Sequence, residues 1–73
     1  MTEREKIALI EDVMDLEEGE LTVESILVNY DEWDSVAAIS YLAMMDETFN
    51  KTVRGAQIRE FVTVADAIAL MED

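Results

Sequence analysis

The chain has 73 residues, a net charge of −13 from 18 acidic and 5 basic residues, and no cysteine, histidine or proline. Its length allows one domain over residues 1–73 that buries only about 60% of its unfolded surface, so a multi-residue catalytic cleft is hard to house. Disulfides, thiolate metal sites and imidazole acid–base chemistry are excluded, and the acidic excess repels nucleic acid and anionic membranes while drawing basic protein surfaces.

Thr2 followed by Glu5 has capping-box spacing, which predicts a first helix from there. Ile7, Ile10, Val13 and Met14 recur at helical spacing as its inward stripe, widened by Leu9 and Leu16. Glu3, Glu5, Glu11 and Asp12 fall on the other side, and the helix is expected to fade near Leu16 to Glu18 with Gly19 as the stop. Residues 17–33 lack sustained periodicity. Leu21, Ile26, Leu27 and Val28 would pin them over the core as a packed loop, with a short turn around Thr22, Glu24 and Ser25.

A second and longest helix is predicted from Ser35 to about Phe49, with Asp34 as its N-cap. Trp33 precedes the cap and would lean on Ala38 or Ile39 as a loose staple; the alternative is that it lines a surface for a partner or an attached group. Val36, Ile39, Leu42, Ala43, Met45 and Phe49 give this helix its apolar face. Met14, Met44, Met45 and Met71 serve as core filler, or as an interior able to part around an aliphatic chain. Asn50 to Thr52 breaks the helix, and residues 56–61 hold a short one with Ile58 and Phe61 inward and Arg59 and Glu60 outward. Thr63 and Asp66 repeat the capping-box spacing, so a last helix starts at Val64 with Val64, Ala67, Ile68 and Met71 facing in. The fold class is all-α: three principal helices and one short one, with a long loop between the first and second.

Asp34-Ser35-Val36 is the stretch around which the rest is arranged. A serine just after an N-cap aspartate sits at the positive end of the helix dipole, among unpaired N–H groups, which suits a phosphate ester. The dipeptide alone is more often a plain helix start.

The whole layout resembles the acyl carrier protein family. The resemblance includes the Leu21 and Leu27 anchors, "DETF" (Asp46 to Phe49) closing the second helix, and "TVADAI" (Thr63 to Ile68) opening the last. It implies an acyl-carrier-like bundle in which Ser35 carries 4′-phosphopantetheine, added from coenzyme A by a phosphopantetheinyl transferase that recognises Asp34. It implies a chain that is not an enzyme and that carries acyl groups as thioesters to acyl-activating and acyl-transferring partners in a lipid, polysaccharide or secondary-metabolite pathway. Asp34, Val36, Asp46 and Glu47 would meet basic docking surfaces on those partners. The fatty-acid-synthesis pattern has Leu-Gly and a small residue before Asp-Ser, Leu after it and acids early in the second helix. Here stand Asp31, Glu32 and Trp33, then Val36, then Ala37 and Ser40, which implies a dedicated carrier rather than the main fatty acid carrier.

A D-alanyl or aminoacyl carrier stays open, as does an unmodified acidic helical interaction module. A calcium sensor does not fit, since no stretch has the alternating oxygen ligands, central glycine and terminal glutamate of an EF-hand. No apolar run is long enough to span a membrane, and the opening Met-Thr-Glu-Arg-Glu-Lys lacks the basic start and apolar stretch of a signal peptide. A cytoplasmic monomer without metal is expected.

Overall fold

In a computed structural model that describes residues 1–71, Thr2 opens the first helix, α1 (Glu3–Val13). Its Oγ1 accepts the Glu5 N–H at 3.2 Å, and the Glu5 carboxylate accepts the Thr2 N–H at 2.9 Å, so two of the orphan donors at the helix start are satisfied reciprocally. Ile7, Ile10 and Met14 are buried and Val13 is half-buried, the stripe that the spacing predicts. The helix stops earlier than expected. Asp15, at φ 58°, takes the left-handed position assigned to Gly19, and aspartate tolerates that conformation better than most residues. The Asp15 N–H donates to the Asp12 carbonyl (3.1 Å) and the Leu16 N–H to the Glu11 carbonyl (2.8 Å), which closes α1 as a Schellman turn. Gly19 has a positive φ of its own, 97°, further along the loop.

The loop after α1 is packed over the core as expected, although only two of its four apolar anchors go in. Leu21 and Leu27 are fully buried, whereas Ile26 and Val28 stay exposed. A 3₁₀ turn covers Leu27–Asn29. The loop backbone is held by the chain ahead of the last helix, α4 (Val64–Ile68). Ile26 and Thr63 form an antiparallel bridge, and the Leu27 N–H donates to the Val62 carbonyl (2.9 Å). The Val64 and Ala65 N–H groups, orphans of a helix start, donate to the Ser25 and Val23 carbonyls at 2.9 and 3.0 Å.

Helix α2 (Ser35–Phe49) starts and ends where the sequence places it. Asn50, at φ 53°, terminates it and donates its N–H to the Asp46 carbonyl. Its inward face differs from the expected one. Ala37, Tyr41 and Met45 are buried, with Ala38, Leu42, Met44 and Phe49 packed beside them, while Val36, Ile39 and Ala43 face out. The stretch from Ser35 to Met45 carries no charge, so polarity alone gives that helix no orientation. Tyr41 decides it. Its hydroxyl donates to the Ala67 carbonyl at 2.6 Å, and its ring meets Trp33 and Phe61 edge-on, with centroids 6.1 and 5.6 Å away. Burial raises the Tyr41 phenol above its usual range.

Helix α3 (Gly55–Arg59) and the turn after it bury Ile58 and Phe61 and leave Arg59 and Glu60 outside. Val64, Ala67, Ile68 and Met71 face in from α4 and its end. α3 and α4 have five residues each, so two of the four helices are long rather than three. Helix α1 packs against both α2 and α4. No strand forms among the described residues, and none of their helices is long and apolar enough to cross a membrane.

Candidate functional site

The approach to Ser35 is held from the inside. The Trp33 N–H donates to the Tyr30 carbonyl at 3.1 Å, and the half-buried Trp33 ring rests against Tyr41 rather than on an exposed surface. Asp34 has extended backbone (φ −112°, ψ −170°), and its Oδ1 accepts the Ala37 N–H at 2.9 Å, which makes it the N-cap. Ser35 is then the first residue of α2 and is exposed. Its hydroxyl makes no hydrogen bond to another described residue, and the Ser35 and Val36 N–H groups likewise have no described acceptor.

This arrangement can accept a phosphate ester. The Oγ is reachable, two backbone donors stand free beside it, and the dipole of a 15-residue helix favours an anion there. The chain has no histidine to serve as a base, and one oxygen of the adjacent Asp34 carboxylate accepts the Ala37 N–H.

Val36 follows at 68% exposed, with Ile39 one turn on at 67%. Ser40, Ala43, Asp46 and Glu47 complete the outward face. Asp46 and Glu47 lie about 17 Å along the helix from Ser35 at 1.5 Å per residue. The five candidate residues therefore share one helix but not one cluster. Asp34, Ser35 and Val36 are together at its start, and Asp46 and Glu47 stand at its end. The exposed Asp31 and Glu32 add charge at the start.

Glu11, assigned to the outer face by its charge, is only 2% exposed. Its Oε2 accepts the Gly19 and Leu21 N–H groups, both at 2.9 Å, and the Arg4 guanidinium lies 3.5 Å from Oε1. One carboxylate thus ties the loop that leads toward Ser35 onto α1. The sequence held a signal for this: Glu11 stands four residues after Ile7 and beside Ile10, within the inward stripe. Asp66 plays a related part at α4. It accepts the Val62 and Thr63 N–H groups at 2.8 and 3.0 Å, and these bonds hold its carboxyl below the usual carboxylate range.

Comparison with protein-family models, with curated proteins and with solved structures finds no match to this chain.

Proposed function

We propose that this chain is a dedicated acyl carrier in which Ser35 holds a 4′-phosphopantetheine arm. The observation that carries the reading is the exposed, uncommitted Ser35 hydroxyl at the first position of the longest helix, beside an aspartate N-cap. The order of elements supports it: helix, packed loop, capped serine, long helix, short helix, helix, in the manner of an acyl-carrier bundle. A serine without an internal base fits a residue modified by a separate enzyme. In that step the Ser35 oxygen bonds to the pantetheine phosphate of coenzyme A. The pyrophosphate bond breaks, 3′,5′-ADP leaves, and the hydroxyl proton passes to a base on the transferase. The arm supplies the thiol that the chain lacks, and thioester cargo is handed to partner enzymes.

The intact mass after incubation with coenzyme A, Mg²⁺ and a broad-specificity phosphopantetheinyl transferase tests this. One added phosphopantetheine is expected on the parent and none on Ser35→Ala. An unchanged parent mass with several transferases would return Ser35 to an ordinary helix start and leave an acidic interaction module.

A further inference from the structure

The interior behind the start of α2 is filled by a row of rings. Trp33, two residues ahead of Ser35, meets the Tyr41 ring edge-on at 6.1 Å, and Tyr41 meets Phe61 in the same way at 5.6 Å, with interplanar angles of 78° and 80°. The row runs from the approach to Ser35, through α2, to the turn after α3. Tyr41 lies about 9 Å along α2 from Ser35, at 1.5 Å per residue. It is fully buried, as are Leu27, Met45, Val64 and Ala67 of the same core. Its hydroxyl reaches the Ala67 carbonyl near the end of α4 at 2.6 Å, so the ring is tied at its far end as well as at the backbone.

An alkyl chain drawn inward from Ser35 would have to move Tyr41. That breaks a buried hydrogen bond, leaves the phenol and the Ala67 carbonyl without partners, and undoes two edge-on ring contacts. The buried methionines Met14, Met45 and Met71 could bend aside around a chain, but a ring held at both ends has no such freedom. We infer that the cargo of this chain is a short, polar acyl group that stays in water, and that the Trp33–Tyr41–Phe61 row excludes a long aliphatic chain from the bundle. This rests on the carrier reading of Ser35 given above. The surroundings of Ser35 agree with it. Asp31, Glu32 and Asp34 are exposed there, and carboxylates facing water give an alkyl chain no cover. Val36 and Ile39 are apolar and exposed, but the outer face of a helix covers a chain on one side only. A short polar group loses nothing by remaining outside.

The test loads Ser35 with acetyl- and octanoyl-phosphopantetheine from the matching acyl-coenzyme A, confirms each form by intact mass, and compares melting temperatures and ¹⁵N–¹H spectra. The two forms are expected to melt together, with the Leu27, Tyr41, Met45 and Ala67 amides at the same positions in both. Tyr41→Leu removes the ring and its hydrogen bond. In that variant the octanoyl group is expected to shift the Leu27 and Ala67 amides and to raise the melting temperature by about 5 °C over the acetyl form. If that variant does not fold, Trp33→Leu, at the half-buried end of the row, takes its place. A parent whose octanoyl form melts several degrees above its acetyl form, or whose core amides shift, would overturn the inference and leave the carrier reading intact. An octanoyl group without effect in the folded variant would overturn it too, since the rings would then not be what excludes the chain. Shifts confined to Phe61, Ala69 and Leu70 would place the chain in the open groove between α3 and α4, and would likewise overturn it. No gain of mass at Ser35 overturns the carrier reading itself and takes this inference with it.

Discussion

Among the described residues, Glu11 is the charged side chain taken out of water, and it keeps its place by giving one oxygen two backbone donors. Glu11→Ala would leave the buried Leu21 N–H without its acceptor, hand the exposed Gly19 N–H to water and open a cavity. A loss of about 3 kcal/mol is expected in urea unfolding, a large part of what a domain of this size possesses. Amide exchange at Gly19 and Leu21 should accelerate together in that variant. Arg4 contributes little to the same cluster, being half exposed and 3.5 Å away. The spacing of Glu11 after Ile7 placed it within the inward stripe, but a carboxylate counts as outward until a partner for it is known. Its partners are amides of the loop, which carry no side-chain signature. The place of Ser35 at the start of α2 was legible for the opposite reason. Its environment is its own helix start, set by the residues beside it.

At the scale of elements, α4 depends on others for its existence. Five residues cannot sustain a helix in water, since nucleation costs more than one turn returns. Its first N–H groups are capped by Ser25 and Val23 from the loop, and the Asp66 carboxylate fixes the turn that leads into it. Because the folded carboxyl titrates below the unfolded one, ionised Asp66 stabilises the fold fully above the ordinary carboxylate pKa of about 3.9. That contribution fades as pH falls through the lowered folded value. Asp66→Asn is therefore expected to melt below the parent at pH 7, with the gap closing toward pH 3; a gap independent of pH would assign the effect to shape rather than charge. The Thr63–Asp66 spacing announced this start, but the loop carbonyls that finish it lie some forty positions away along the chain and leave no local pattern. The orientation of α2 was likewise beyond local reading. Val36 and Ile39 are as apolar as anything inside, and they face out because Tyr41, held by Trp33, Phe61 and Ala67, takes the inward side together with Ala37 and Met45.

For the molecule as a whole, repulsion is set against a small core. The Cα radius of gyration is 10.8 Å and the longest extent 26 Å, and the chain carries 18 acidic residues. At 0.01 M salt the screening length of about 30 Å exceeds the molecule, so its carboxylates all repel one another; at 0.1 M it is about 10 Å and only neighbours do. The melting temperature is expected to rise by several degrees across that range, roughly 1 kcal/mol for a chain of this length, and a salt-independent melt would show that charge does not limit stability. The sequence carried this expectation directly, since net charge needs no structure. The Ile26–Thr63 bridge has a consequence for time rather than strength. It closes a ring around the whole of α2 and α3, and the donors of Val64 and Ala65 find their acceptors only once that ring has shut. The capped α2 carries the signals for its own start, whereas the start of α4 is complete only when residues 23–26 have met residues 62–65 across the whole of that ring.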